Sequence, residues 1–255
     1  MQSDLPKVVH EVAGRAMVAW VVDACRAAGA APIVLVIGHG ADAVRALFRN
    51  DRDIVFVTQE PQLGTGHAVD QARGVFEKNP SLMGDADVLV LAGDGPLIRA
   101  ETLWTMLEVH RRSGASATLA TSVIPDATGY GRIVRDASGR FQRIAEHKDA
   151  TPAERGIREI NPSYYCFRAA ALFEMLRLVD NQNASGEYYI TDVLGHMLNS
   201  GLRVEVIDAV PPEDVLSINT PQQLAEVEAI LQARTVAKNP SAPALARRAT
   251  GGVAR

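Results

Sequence analysis

Three short runs of β-branched residues and leucine, Ile33–Ile37, Ile54–Val57 and Val88–Leu91, alternate with stretches of helical spacing. No other feature restricts the fold so much. Strands this apolar are buried on both faces, and the helices between them must cover those faces, so a mostly parallel sheet in an α/β domain is expected. Met17, Val18, Val21, Val22 and Cys25 follow a helical repeat that Gly29 would stop. Thr65–Phe76 and Glu101–Arg112 read as two further helices.

After Ser116 the pattern changes. Thr118–Val123, Gly131–Arg135 and Phe141–Ala145 read as antiparallel strands, with Asp136-Ala-Ser-Gly139 as a hairpin turn. They form a small extension of the mixed sheet, not a second domain. A strand over Ser163–Phe167, helices over Ala169–Leu178 and Ile190–Asn199, and a strand over Arg203–Ile207 follow. A last helix opens at Thr220-Pro-Gln-Gln223, where Thr220 caps, Pro221 suits the first turn and Gln223 closes a capping box. Residues 1–233 are thus expected to form one domain. Residues 234–255, rich in Ala, Pro, Gly and Arg without periodicity, are expected to form a disordered tail. No hexapeptide repeat is present.

A length of 255 residues supports a sizeable core, and 47% hydrophobic with 22% charged residues is the balance of a soluble protein. The net charge of -4 argues against nucleic acid or an anionic membrane as partner, since either calls for a basic face. Cys25 and Cys166 lie in apolar stretches without metal-ligand spacing and read as buried thiols. No apolar run approaches the ~20 residues of a membrane span, and the first residues lack signal-peptide order, so the cytoplasm is the expected compartment. Self-association into a homo-oligomer is left open.

The sharpest local signal is Val88-Leu-Val-Leu-Ala-Gly-Asp94, a strand that ends in a carboxylate. Ligands of open α/β sheets bind at that edge, where a carboxylate can hold a phosphate-bridging Mg²⁺; an Asp capping the next turn is an equal reading. Gln59-Glu-Pro-Gln-Leu-Gly64-Thr65-Gly66-His67 joins a strand end to a helix start. Its glycines can bring backbone N–H groups close to a base or phosphate, and Gln59 can pair both ways with a base edge. His67 reads as a packing or capping residue. Thr128-Gly-Tyr130-Gly131-Arg, Glu146-His-Lys-Asp-Ala, Glu159-Ile-Asn161 and Gly186-Glu-Tyr-Tyr189-Ile-Thr191-Asp supply hydroxyls, carboxylates and amides of the kind that read sugar hydroxyls. Taken singly, each reads better as turn chemistry, a helix start or surface charge; together they tilt toward a sugar site.

Taken in order, these segments and Asp4-Leu-Pro-Lys7-Val-Val-His resemble the uridyltransferase domain of the N-acetylglucosamine-1-phosphate uridyltransferases, which are sugar-phosphate nucleotidyltransferases. The likeness runs from Met1 to about Gln232. It implies a Rossmann-like nucleotide-diphospho-sugar transferase fold and transfer of a uridylyl group from UTP to N-acetylglucosamine 1-phosphate with Mg²⁺. UDP-N-acetylglucosamine for bacterial cell-wall synthesis and pyrophosphate would be the products. It also implies that Asp94 and Asn219 are metal ligands and that Lys7 contacts the nucleotide phosphates. Gln59, Gly64 and Thr65 would read uracil, while Gly131, Glu146, Asn161 and Tyr189 would contact the amino sugar, with Thr191 near its phosphate.

That family opens with a strand and a glycine-rich loop of the form Leu-Ala-Ala-Gly-x-Gly-Thr-Arg-Met, and this chain starts at the matching Met. An upstream start is therefore expected; the competing expectation is a relative that binds ligand without turnover. Without the opening strand, the sheet should show a gap beside Ile33–Ile37. Gly95, and Asn161-Pro-Ser in place of Asn-Thr-Gly or Asn-Ser-Gly, depart from the family pattern and widen the range of sugar phosphates. A thymidylyl- or guanylyltransferase and a non-catalytic nucleotide-sugar binder are the alternatives. No Gly-x-Gly-x-x-Gly with a downstream acid supports a dehydrogenase.

Overall fold

The computed structural model describes residues 5–216, 218 and 220–238. In chain order the elements are a 3-10 turn Lys7–Val9, β1 (Glu11–Val12), β2 (Arg15–Ala16), α1 (Met17–Ala27), β3 (Ile33–Ile37), α2 (Ala41–Leu47), β4 (Ile54–Thr58), α3 (Thr65–Gln71), α4 (Arg73–Glu77), α5 (Pro80–Asp85), β5 (Asp87–Leu91) and α6 (Ala100–Ser113). There follow β6 (Ala117–Val123), β7 (Gly131–Arg135), β8 (Phe141–Ala145), α7 (Pro152–Arg155), β9 (Glu159–Arg168), α8 (Ala169–Met175), α9 (Asp192–Asn199), β10 (Val204–Asp208) and α10 (Pro221–Lys238).

The main sheet has the order β10-β6-β9-β7-β8, and β5 also pairs with β9. β5, β6 and β10 point one way, and β9 is the reversed strand between β5 and β6. β3 and β4 form a separate parallel pair. Side chains alternate across the strands, as pleating requires. Ile33, Leu35, Ile37, Leu89 and Leu91 meet one apolar layer with Val18, Val22, Leu103 and Met106 from α1 and α6. Val34, Val88 and Val90 meet the other, with Leu172, Val193 and Met197 from α8 and α9. β3 and β5 thus share both layers. Yet among the described residues β3 pairs only with β4, and β5 only with β9.

This corrects one expectation: Val88–Leu91, expected as a buried strand in a parallel set, is half-buried throughout and bonds an antiparallel neighbour. Among the described residues β5 has a strand partner on one side only, which leaves its side chains partly uncovered. The β1–β2 hairpin was not expected; its Ala13 and Gly14 both have positive φ, as a two-residue turn demands. The helix expected over Thr65–Phe76 breaks at Ala72 into α3 and α4. β9 begins at Glu159, four residues before the expected strand, with a register shift against β6.

Thr220 and Gln223 form the expected reciprocal cap of α10, at 3.1 and 3.2 Å. That helix reaches Lys238, past residue 234, where a disordered tail was expected to begin; residues 239–255 lie outside the described residues. Thr235 Oγ1 bonds back to the Leu231 carbonyl, and Ala and Lys are good helix formers, so a sequence without amphipathic period still propagates. The two cysteines are buried and free, and burial pushes their thiols up to about 11 for Cys25 and about 12 for Cys166. Among the described residues no helix is long and apolar enough to cross a membrane.

One ion cluster ties α10 to the loop that follows β5. The Asp214 side chain, 1% exposed, accepts Arg99 Nε at 2.6 Å and Arg99 Nη2 at 2.9 Å, and also meets Arg234. Arg234 Nη1 in turn donates to the Leu97 carbonyl at 2.8 Å. Removing one member of a buried ion cluster strands the others. Asp214→Ala is expected to destabilise the fold by about 3 kcal/mol, lowering Tm by roughly 6–12 °C in a thermal melt, whereas Arg112→Ala, at an exposed helical pair, should shift it by less than about 2 °C.

Candidate active site

β9 brings the site together. Its outer half pairs with β5, ending at Leu91 opposite Tyr164, and its inner half with β7, starting at Gly131 opposite Asn161. Between these contacts lies a bulge in which Ser163 takes a φ of 67° and Asn161 Oδ1 accepts the Ser163 N–H at 2.9 Å. A bulge bends a strand and re-aims its side chains. The chain leaving β5 with Asp94 and the chain entering β7 with Gly131 therefore meet at adjoining positions of one strand. Gly95 lies against the Tyr164 hydroxyl: a Cβ there would sit 3.9 Å from it.

At the β5 end, Lys7 Nζ and Asp94 Oδ2 form an ion pair at 2.8 Å, each side chain 39% exposed. The 3-10 turn Lys7–Val9 delivers the lysine, and Val8 packs 3.5 Å from where a Gly93 Cβ would be. One part-exposed carboxylate at a strand end suits a Mg²⁺ that keeps waters and takes substrate phosphate oxygens. No cluster of three or more His, Cys, Asp or Glu suited to a metal occurs among the described residues. Asn219, the second expected metal ligand, lies outside the described residues.

Gln59, expected to present its amide to a base, is buried instead. Its Nε2 donates to the Gly64 carbonyl at 2.9 Å and contacts His67 Nδ1 at 3.1 Å, so it shapes the loop from within. Gly64, at φ 110°, and Gly66 are required for a reason the sequence did not reveal. A Cβ on Gly64 would lie 2.7 Å from the Tyr188 carbonyl, and one on Gly66 3.0 Å from it. Thr65 Oγ1 accepts the Ile190 N–H at 3.0 Å. The loop is thus packed against the 187–190 segment. His67 sits on α3 between Gln59 and Gln71, as a packing residue.

At the β7 end, a Cβ on Gly131 would lie 2.7 Å from Ile144 Cγ2 and 3.4 Å from Glu146 Oε2, so only glycine leaves room beside that carboxylate. Thr191 Oγ1 donates to Glu146 Oε1 at 3.0 Å. Tyr189 is half-buried, its hydroxyl 3.4 Å from Asp149 Oδ2. Asn161 is buried, and its Nδ2 donates to the Tyr165 hydroxyl at 2.6 Å, so its amide is engaged at both ends. The structure thereby brings Gly131, Glu146, Tyr189 and Thr191 to one place, with Asn161 shaping the bulge behind it. Asp149, not singled out from the sequence, joins them; its place in the Glu146-His-Lys-Asp-Ala segment was the available signal.

Burial raises the Glu146 carboxyl above the usual range, and the carboxylates of Asp192, Asp149 and Glu187 add to the shift against the Thr191 hydrogen bond. Burial likewise raises Asp192. The charged form of Glu146 therefore opposes folding at neutral pH. That opposition is absent below the unfolded carboxyl range, about pH 4.3, and sets in as pH rises through the raised folded value. Glu146→Gln is expected to raise Tm at pH 7, with the gain over the native chain vanishing as pH falls below about 4. A gain that stays constant with pH would reject this account.

A profile of the MobA-like NTP transferase domain matches residues 1–188. The chain is 46% identical over 234 residues to the bifunctional protein GlmU of Brevibacillus brevis, covering 92% of this chain and 49% of that protein. It is 46% identical over 226 residues to the GlmU of Geobacter metallireducens, covering 89% and 46%. The chain thus spans about half the length of the curated relatives it matches. Among solved structures, an apo UDP-glucose pyrophosphorylase shares the fold, with a TM-score of 0.68 at 13% identity over 90% of this chain and 91% of that one. The shared profile and the strand-end site lead to one conclusion: the chain belongs to the MobA-like NTP transferase family and is a nucleotidyltransferase.

Proposed function

We propose that this chain transfers a uridylyl group from UTP to N-acetylglucosamine 1-phosphate, giving UDP-N-acetylglucosamine and pyrophosphate. The observation that carries the reading is the meeting at the β9 bulge of two unlike groups. A lysine and a carboxylate suited to phosphate chemistry stand at the end of β5, and a carboxylate with a hydroxyl suited to a sugar stands beside Gly131. The likeness to GlmU proteins supports the choice of nucleotide and sugar.

The sugar phosphate is already an anion at neutral pH, so its oxygen can attack the α-phosphorus in line without a general base. Catalysis then rests on positioning and charge neutralisation. Lys7 Nζ supplies a part-exposed cation for the phosphates. Asp94, with Asn219, would hold Mg²⁺, which when bound neutralises phosphate charge and orients the leaving pyrophosphate. Gln59 and Gly64 keep the base-reading loop in shape, while Thr65 pins it to Ile190. Glu146, Tyr189 and Thr191 would hold the sugar.

The test is pyrophosphate release from UTP, Mg²⁺ and N-acetylglucosamine 1-phosphate, by this chain and by one carrying an N-terminal strand and glycine-rich loop. Release by either, with UTP preferred over the other nucleoside triphosphates, is the expected outcome. Release by neither would sink the reading. In the active form, Lys7→Ala is expected to lower kcat/KM about 100-fold or more, the scale of losing one transition-state donor, with an unchanged thermal melt. EDTA should abolish turnover, and excess Mg²⁺ should restore it.

A further inference from the structure

Between Leu178 and Asp192 the chain forms neither helix nor strand, so its path is fixed by tethers and not by a ladder. Those tethers fall into two sets. Toward the nucleotide loop, the Tyr188 N–H donates to the Leu63 carbonyl at 2.8 Å, the Gly66 N–H to the Tyr188 carbonyl at 2.7 Å, and the Ile190 N–H to Thr65 Oγ1 at 3.0 Å. Toward the sugar turn, the Ala184 N–H donates to Asp149 Oδ1 at 2.8 Å, Lys148 Nζ to Ser185 Oγ at 3.1 Å, and Thr191 Oγ1 to Glu146 Oε1 at 3.0 Å. Asp149 Oδ2 also faces the Tyr189 hydroxyl at 3.4 Å. Asp149 itself sits in the tight turn in which the Asp149 and Ala150 N–H groups bond the Glu146 carbonyl, at 3.0 and 2.8 Å.

We propose that Asp149 is a positioning residue that couples the two substrate sites. By clasping the 184–189 stretch, it makes a sugar phosphate held beside Glu146 tighten the nucleotide loop, and a nucleotide in that loop tighten the sugar pocket. The effect is reciprocal, because coupling between two binding equilibria must be. The inference rests on the functional reading above. Asp149 is exposed, and its replacement leaves the buried core intact.

The probes are α,β-methylene-UTP, whose bridge cannot be cleaved, and N-acetylglucosamine 1-phosphate, titrated with Mg²⁺ by calorimetry, singly and together, into the full chain. In the native chain each should tighten the other about tenfold, within the usual range of such couplings. In Asp149→Ala the nucleotide analogue alone should bind within about twofold of native while the coupling falls toward one. Asp149→Asn, which keeps an acceptor for Ala184, should retain most of the coupling.

Native-like coupling in Asp149→Ala, or its absence in the native chain, overturns the proposal. So does loss of nucleotide binding with coupling unchanged, the mark of a merely structural role. Should Asp149→Ala fail to fold, Ser185→Ala, which cuts the Lys148 tether, must lower the coupling or the proposal falls. A native chain that binds neither ligand overturns the functional reading itself, and is told apart by that result.

Discussion

The candidate site depends on the bulge in β9. This ten-residue strand is the only described partner of β5, separates β5 from β6, and starts the pairing with β7. Were its pairing continuous, the alternation of side chains would carry straight through Asn161–Ser163. Asn161, with its amide spent on Tyr165 and Ser163, holds the extra backbone in place, and Pro162 gives up no ladder bond there because it has no N–H to offer. The ends of β5 and β7 are staggered along β9 as a result.

The elements legible in the sequence are those whose signal is local. Ile33–Ile37, Gly131–Arg135 and Phe141–Ala145 coincide with the observed strands because apolar runs and Asp136-Ala-Ser-Gly139 mark their own limits. The α10 cap was equally local, set by Thr220 and Gln223 alone. The β1–β2 hairpin was not legible, since two-residue strands cannot show an alternation. Nor was the start of β9, because Asn-Pro-Ser reads as a turn when its partners on β6 and β7 are unknown. The end of α10 was not legible for the opposite reason: helix propagation needs only propensity once a nucleus is capped.

For the site, the sequence supplied residue types but not their orientations. That Lys7 and Asp94, 87 positions apart, meet at 2.8 Å follows from nothing in their spacing. Gln59 was legible as a loop residue, yet its inward turn depends on the Gly64 carbonyl and on His67. Gly64 and Gly66 illustrate the same limit. Their necessity arises from Tyr188, more than a hundred residues away, and no local pattern could have named that contact.

The distribution of charge also constrains how an anionic sugar could lie. Burial raises the Glu146 carboxyl and the nearby carboxylates of Asp192, Asp149 and Glu187 add to it, so the pocket beside Gly131 disfavours a phosphate. Its hydrogen-bonding groups suit neutral ring hydroxyls, which can donate to carboxylates. Two lysines bear on it: Lys148 lies at the rim of that pocket with its Nζ on Ser185 Oγ, and Lys7 stands at the end of β5 beside Asp94. On the proposed reading the sugar ring must therefore enter beside Glu146 with its phosphate turned toward Lys7 and Asp94. The reverse orientation would set an anion among four carboxylates with the exposed Lys148 alone to offset them, so the same electrostatics that weigh on stability favour the productive pose.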